Sequence, residues 1–257
     1  MTEHVLVERR GPHLRLLLNR AERRNAITVA MYAALADAIT AAQDDPELRV
    51  ITLEGDGVDF TGGNDLADFM KEMPQDGQTD IPVWRLLRAL ATNKVPLIAA
   101  VHGNAVGIGT TMLFHCDLVV AEEGTRFKMP FTELGLVPEA ASSLILPALA
   151  GRQLAAKYLL IGEPFGVDEA ERFGLVTHRA ATGTCAERLE QVVGALLSRP
   201  VEALRLTQRL LRGVDHGAVL ERMDWENGHF SERLTSDEVR DAITAFFTSR
   251  AQAQAGR

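Results

Sequence analysis

The sequence is poor in the residues that mark disulfide-rich, zinc-binding or membrane-spanning proteins. Its 257 residues include two cysteines, Cys116 and Cys185, and no C-x-x-C pair, which argues against a disulfide framework or a zinc site. The seven histidines show no H-E-x-x-H spacing, so we predict no metal site. A charged-then-apolar leader and an apolar run of about 18 residues are both missing. We therefore expect a cytoplasmic protein without a membrane span.

An excess of positive charge is also missing. The net charge is -8 and the sequence pI is about 5.4, which disfavours a nucleic-acid binder because such proteins need a basic face. Arginines nevertheless crowd the N-terminal part, at positions 9, 10, 15, 20, 23 and 24. They form either a solvated edge or a local site for an anionic group. The length and the 46% hydrophobic content suit a globular protein with a sizeable core.

The order of periodic segments predicts an α/β protein. His4–Arg9 and Leu14–Asn19 alternate around Gly11-Pro12 and predict a β-hairpin. Thr28 can cap a helix that runs to about Ala42. Strand and helix patterns alternate in the first part, whereas the last part is helical throughout. We divide the chain into an α/β core, 1–195, and a C-terminal helical region, 196–257.

Two glycine-rich turns stand at predicted helix starts. Leu97–Val101 is a continuous apolar run, typical of a strand covered on both faces. A turn containing Gly107 and Gly109 follows it, and a core helix is expected from Thr110. The stretch 62–66 is a second such turn. Each turn leaves a backbone N–H free to hold a phosphate or a developing oxyanion, unless its glycines serve packing alone.

Five stretches in order carry a resemblance to a known family: LNRAERRNAI, FTGGNDL, AAVHGNAVGIGTTMLFHCDLVVA, PFTELGLVPEAAS and LLIGEPFGVDEAERFGLV. Together they resemble the crotonase family, the enoyl-CoA hydratases and isomerases, from about Val5 to Arg250. The resemblance implies a ββα spiral core with a helical C-terminal extension that covers the acyl site and forms trimers, often paired into hexamers. It implies an acyl-CoA thioester substrate, with coenzyme A as part of the substrate and no separate cofactor.

The same resemblance implies the positions of the site residues. The two backbone N–H groups that hold the thioester oxygen fall on Asn64 and Ile108. The loop near the nucleotide end of the substrate contains Arg23, Arg24 and Ala26, and the guanidinium groups of the two arginines suit phosphates. Further coenzyme A or substrate contacts are implied for residues flanking the two turns: Gly62, Asp65, Leu66, Gly107 and Gly109.

The acid–base residues separate the possible reactions. The two glutamates of the family's hydratases fall here on Thr111 and Phe131, which cannot exchange a proton. Glu139, in Val-Pro-Glu-Ala-Ala-Ser-Ser, resembles the single catalytic glutamate of the Δ3,Δ2-enoyl-CoA isomerase branch. Apolar neighbours such as Phe131 and Leu136 are expected to raise its pKa. The other interpretation of Glu139 is a charge at a helix start, and Glu133 is the competing base.

The leading hypothesis is therefore an isomerase that converts 3-enoyl-CoA to 2-enoyl-CoA. A hydratase of the same fold is the first alternative. A non-catalytic acyl-CoA-binding protein is the second. The walls of the acyl pocket are expected from the segment 70–84 and the C-terminal helices.

Overall fold

Two β-sheets form the framework of the chain. The computed structural model describes residues 2–71, 81–213 and 216–255. Its strands are β1 (Val5–Arg10), β2 (His13–Leu18), β3 (Val50–Gly55), β4 (Leu97–Val101), β5 (Asn104–Val106), β6 (Leu118–Glu122), β7 (Arg126–Lys128), β8 (Phe165–Gly166) and β9 (His178–Ala180). One sheet has the order β1-β2-β3-β4-β6-β9, and the other has the order β5-β7-β8.

The larger sheet is parallel except at one edge. β1 and β2 pair antiparallel, which confirms the predicted hairpin, and every later neighbour pairs parallel. Parallel neighbours need a crossover connection, and helices supply it. The α/β core predicted from the alternation is therefore confirmed.

The helices occupy the crossovers and then the whole C-terminal part. The first, α1 (Val29–Ala42), begins at Thr28, whose hydroxyl accepts a hydrogen bond of 3.3 Å from the Met31 N–H, so the predicted cap is confirmed. The others are α2 (Leu66–Lys71), α3 (Pro82–Ala91), α4 (Ile108–Thr111), α5 (Ser142–Ala150), α6 (Arg152–Leu160), α7 (Val167–Arg172), α8 (Cys185–Leu197), α9 (Val201–Gly213), α10 (His216–Leu234) and α11 (Asp237–Ala255).

Both faces of the central sheet are covered. All five residues of β4 are buried, as its apolar run predicts. Leu97 and Ala99 belong to the main core with α1 and α3, while Ile98 packs in a second cluster with Leu189 and Val192 of α8. Alternate side chains of one strand thus enter different layers.

The C-terminal helices are tied to the core. Arg212 of α9 bonds to Asp117 at 3.0 Å and donates to the His115 carbonyl at 2.6 Å. Phe230 of α10 meets Trp84 of α3 edge to face at 5.7 Å between ring centres. The division at residues 195 and 196 stays a prediction. Among the described residues, no helix is both long and apolar enough to cross a membrane.

One predicted element differs from the structure. After Gly107 we expected a core helix from Thr110, but α4 begins at Ile108, lasts four residues and continues as a 3-10 segment over Met112–His115. The Thr110 hydroxyl donates to the Ala105 carbonyl at 2.6 Å; such side-chain bonds compete with regular helix. Part of the predicted acyl wall, residues 72–80, lies outside the described residues.

Candidate active site

The two glycine turns lie side by side because the strands that feed them pair. Thr61, just after β3, donates its N–H to the Asn104 carbonyl at 3.0 Å and accepts from the Val106 N–H at 3.1 Å. A Cβ added to Gly63 would lie 2.7 Å from the Val106 carbonyl oxygen, and one added to Gly109 would lie 2.4 Å from the Thr61 methyl group. Only glycine permits this approach, so packing is one function of these residues.

The two amides that resemble the family's oxyanion donors are available. Within the described parts of the chain, neither the Asn64 N–H nor the Ile108 N–H donates to any protein acceptor. Their neighbours do: the Asp65 N–H reaches the Ile27 carbonyl at 2.9 Å, and the Gly107 N–H reaches the Lys128 carbonyl at 2.8 Å. Gly107, at φ +57° and ψ -120°, turns the chain so that Ile108 begins a helix. Two free donors on adjacent turns can stabilise a developing oxyanion.

Glu139 lies buried beside the helix that follows the second turn. Its side chain is 1% exposed, and its Oε1 accepts a hydrogen bond of 3.3 Å from the Thr111 hydroxyl, three residues beyond Ile108. Burial raises the pKa of Glu139 to about 8, helped by the Glu226 charge and opposed by the Thr111 bond. A carboxyl group that exchanges its proton near neutral pH is suited to acid–base catalysis.

Tyr32 bonds to the first turn and is affected by the charge of Glu139. This buried tyrosine of α1 donates its hydroxyl hydrogen to the side-chain carbonyl of Asn64. Burial, and after it the charge of Glu139, raises the pKa of Tyr32 well above its usual value, so the phenol stays a donor. The contact fixes the side chain of the residue whose backbone N–H is one of the two free donors.

The segment after Glu139 has an unusual backbone. Ala140 and Ala141 take φ values of +60° and +54°, the left-handed region, which costs about 1–2 kcal/mol per non-glycine residue. The Ser142 hydroxyl donates to the Glu139 carbonyl at 2.6 Å. His115 Nε2 bonds to the Ala140 carbonyl at 2.9 Å, and burial lowers the pKa of His115 to about 4, so a neutral ring donates this bond.

Glu226 of α10 holds the same segment from the other side. Its Oε2 accepts from the Ala141 N–H at 2.6 Å, and its Oε1 accepts from the Ser143 N–H at 3.0 Å and the Ser143 hydroxyl at 2.5 Å. Ala141 is the N-cap of α5 and has no capping side chain of its own. A carboxylate from a distant helix thus caps α5.

The competing base is engaged elsewhere. The Glu133 side chain is 43% exposed and pairs with Lys128 Nζ at 2.8 Å. Phe131, which by the resemblance stands at the position of the hydratases' second acid, is buried. Glu139 therefore bonds to the helix after the second turn, whereas Glu133 bonds to Lys128 near the surface.

The loop that contains Arg23, Arg24 and Ala26, called the arginine loop below, lies against the first turn. The Gly62 N–H donates to the Arg24 carbonyl at 2.8 Å, while the side chains of Arg23 and Arg24 reach the surface. Arg24 is only loosely paired, with its Nε 3.7 Å from Asp59. Arg20 is occupied instead, by Asp65 at 2.7 Å and the Ala26 carbonyl at 2.9 Å. The assignment of Arg23, Arg24 and Ala26 to the nucleotide end stays a prediction.

The remaining predicted residues have structural functions in this geometry. Asp65 Oδ1 accepts from the Ala67 and Asp68 N–H groups at 3.2 Å each, so it caps α2, of which Leu66 is the first residue. Whether the residues flanking the turns also contact substrate stays a prediction: Gly62, Asp65, Leu66, Gly107 and Gly109. No cluster of three or more potential metal ligands occurs among the residues the structure describes.

Sequence reasoning missed Tyr32 and Glu226. Tyr32 lay inside a helix identified only by its apolar face. Glu226 carried a usable signal: it falls between Met223 and Phe230, both buried, at a spacing that places it on the same face of α10. An acidic residue on a buried stripe is unusual and points to a specific partner.

Known proteins of one family resemble this chain over most of its length. The family model for enoyl-CoA hydratase/isomerase matches residues 14–254. Enoyl-CoA delta isomerase 2 of Rattus norvegicus is 31% identical over 96% of this chain and 64% of its own length. The 2,3-dehydroadipyl-CoA hydratase of Escherichia coli is 30% identical over 98% of this chain and 99% of its own.

A solved structure gives the same result for the fold. That of Pseudomonas aeruginosa OdaA superposes with a TM-score of 0.91 at 39% identity, covering 95% of this chain and 99% of that one. The predicted crotonase-like core with a helical C-terminal region is confirmed. The chain belongs to the enoyl-CoA hydratase/isomerase family and is an acyl-CoA enzyme of that family.

Proposed function

We propose that this family member is an enoyl-CoA isomerase that shifts the double bond of a 3-enoyl-CoA to the 2-position. The observation that supports it most is the position of Glu139. It is a buried carboxyl group that Thr111 links to the second turn. By the family resemblance, the positions of the two hydratase acids hold Thr111 and Phe131, which leaves Glu139 as the proposed proton carrier.

A single carboxyl group suffices for this reaction. The Glu139 carboxylate removes a proton from C2, and the electron pair of that C–H bond moves into the thioester to give a dienolate. The Asn64 and Ile108 N–H groups stabilise the oxygen that gains the negative charge. The Glu139 carboxylic acid then returns the proton at C4. The C2–C3 double bond forms as the C3–C4 double bond is lost, and the carboxylate is regenerated.

The pKa of Glu139 suits both steps. Because burial raises this pKa to about 8, the carboxylate is a stronger base than an exposed glutamate. At pH 7 roughly one molecule in ten carries it ionised. The acid formed after the first step still gives its proton back readily, since its pKa lies near the working pH.

The test is to incubate the protein separately with 3-enoyl-CoA and 2-enoyl-CoA and to follow both by NMR. We expect conversion of the first to the 2-enoyl thioester and no 3-hydroxyacyl-CoA from either. Rapid hydration of the 2-enoyl thioester would refute the proposal in favour of a hydratase. Tight binding of both thioesters without turnover would instead support a non-catalytic acyl-CoA-binding protein.

The arginine loop is proposed to bind the nucleotide phosphates of the substrate. We expect the Arg23→Ala, Arg24→Ala double variant to raise KM for the coenzyme A thioester by roughly tenfold. The same variant should leave the KM for the matching pantetheine thioester, which has no nucleotide, unchanged. An equal effect on both thioesters would contradict this assignment.

A homotrimer, or a dimer of trimers, is the proposed assembly. Large apolar side chains are exposed on the helices of the C-terminal region in the single chain, among them Leu210 (68%), Leu211 (78%) and Trp225 (60%). Such exposure is typical of surfaces that another subunit covers. Sedimentation equilibrium tests it, and a monomer would contradict it. A cytoplasmic location stays a prediction.

A further inference from the structure

Contacts from a distant part of the chain help to hold the backbone that carries Glu139. Glu139 is followed by two alanines in the left-handed region, Ala140 and Ala141, and α5 starts directly after them at Ser142. Alanine has no side chain that could stabilise this conformation through a hydrogen bond. Ser142 closes the turn locally, since its N–H and its hydroxyl both donate to the Glu139 carbonyl, at 3.0 and 2.6 Å. Contacts from other parts of the chain hold the two alanines in addition.

Glu226 supplies the most specific of those contacts. Both its oxygens are engaged: one by the Ala141 N–H at 2.6 Å, the other by the N–H and hydroxyl of Ser143 at 3.0 and 2.5 Å. Glu226 is 5% exposed. A buried carboxylate with three donors is held in one geometry, and it in turn fixes the two amides that donate to it.

The structure assigns Glu226 as a positioning residue. We propose that it holds the Ala140–Ala141 turn from α10 and so keeps the Glu139 carboxyl beside the helix that follows the second glycine turn. This inference rests on the proposed function of Glu139 as the proton carrier. It gives the C-terminal helical region a direct part in assembling the site.

Hydrogen-bond donors and charged side chains surround Glu139. Thr111 of α4 donates to its carboxyl group, and Tyr32 of α1 lies within the influence of its charge. From α10 come Glu226 and, one turn earlier, Arg222, whose guanidinium donates to the Ser143 hydroxyl at 3.1 Å. Burial raises the pKa of Glu226 too, but its bonds from Ser143 and Ala141 and the Arg222 charge oppose that rise. Glu226 accepts three hydrogen bonds, while Glu139 accepts one from a side chain.

A negative charge on Glu226 has a second effect, on Glu139. That charge disfavours ionisation of Glu139 and raises the pKa of that group. Position and proton affinity thus change together when Glu226 is replaced. A residue that merely stabilised the fold would alter neither.

The experiment compares Glu226→Gln with Glu226→Asp. Glutamine has nearly the same size but no charge, and its single carbonyl cannot accept from both Ala141 and Ser143. Aspartate keeps the charge. Glu221→Gln is the matched control, since Glu221 is an exposed glutamate of the same helix. Thermal melts establish that each variant folds.

Two readouts are taken from each variant. The first is the titration of Glu139, followed by carboxyl carbon NMR and identified as the signal absent in Glu139→Gln. The second is kcat and KM for 3-enoyl-CoA across pH. In Glu226→Gln we expect the pKa of Glu139 to fall by roughly one unit. We also expect kcat to fall roughly 10- to 100-fold, with KM changed less than about threefold.

In Glu226→Asp the pKa of Glu139 should lie close to its wild-type value. Glu221→Gln should match the wild type in both readouts. An unchanged titration and kcat in Glu226→Gln would overturn the proposal. If that variant does not fold, Ser143→Ala removes the hydroxyl that donates to Glu226 and accepts from Arg222, and it leaves the two amide donors in place. We then expect kcat to drop roughly three- to tenfold at constant KM, and a wild-type kcat would overturn the proposal.

The titration separates this inference from the proposed function. If the wild-type protein does not isomerise 3-enoyl-CoA, the function fails, but the NMR titration still reports whether Glu226 acts on Glu139. If isomerisation is confirmed and the titration does not respond to Glu226→Gln, only the positioning function of Glu226 is refuted.

Discussion

Replacing Glu139 by glutamine should make the stability of the protein less dependent on pH. The folded protein holds this carboxyl group with a pKa of about 8, against a usual value of 4.5. Between these two values the folded state keeps a proton that the unfolded state has released. Stability therefore falls as pH rises through this window and levels off above about pH 8.

The size of the effect follows from the shift. Each pKa unit corresponds to about 1.4 kcal/mol, so the rise from 4.5 to about 8 gives roughly 4–5 kcal/mol across the whole window. Glutamine fills the same space and is neutral at every pH. The free energy of unfolding of the variant, relative to that of the wild type, should thus rise by about 1.4 kcal/mol per pH unit from about pH 5 to about pH 8.

Urea unfolding at about pH 5, 6, 7 and 8, followed by circular dichroism, measures this difference. Glu133→Gln serves as the control because the Glu133 side chain is 43% exposed and pairs with Lys128 at the surface; its difference from the wild type should stay nearly constant. A constant difference between Glu139→Gln and the wild type would refute the reasoning, since it would mean that Glu139 is already ionised in the folded protein.

Three further predictions concern the rate and the turns. Because Glu139 acts first as a base and its pKa is about 8, kcat/KM should fall about tenfold per pH unit below that value, and a rate that is flat from about pH 6 to 8 would contradict this. Thr111→Val removes a hydrogen bond that lowers the pKa of Glu139, so the pH below which kcat/KM falls should become higher. An unchanged or lower pH for this fall would count against the contact. Gly109→Ala should lower kcat by at least about tenfold and cost about 1–3 kcal/mol of stability, because its Cβ would lie 2.4 Å from the Thr61 methyl group. The control Gly194→Ala, at an open helical position, should be neutral or gain up to about 1 kcal/mol in the same melts.

Local patterns in the sequence predicted the framework well. The β1–β2 hairpin, the Thr28 cap and the two-sided burial of Leu97–Val101 are all set by residues close to one another in the chain. Periodicity and capping chemistry express such short-range preferences directly. The α/β core and the helical C-terminal region followed from the order of these elements.

Short elements were not predictable in the same way. β5 has three residues and α4 has four, which is too few for either period to appear. The core helix expected from Thr110 is present, but it begins two residues earlier, at Ile108 after Gly107, and it continues as a 3-10 segment from Met112.

The supporting residues of the site depend on long-range packing. Tyr32 meets Asn64 across 32 positions, and Glu226 meets Ala141 across 85. Such pairs are fixed by how helices lie on the sheet, and a single sequence does not encode them in any local spacing. The resemblance predicts which residues face the substrate, whereas the structure was needed to find which residues support them.

The central claim is that one buried carboxyl group moves the proton while two turns hold the oxyanion. The most direct measurement is the isomerisation of 3-enoyl-CoA by Glu139→Gln, with Glu133→Gln as its control. We predict that kcat falls by roughly 10³-fold or more in the first variant and stays at the wild-type value in the second. Full isomerase activity in Glu139→Gln would contradict the account.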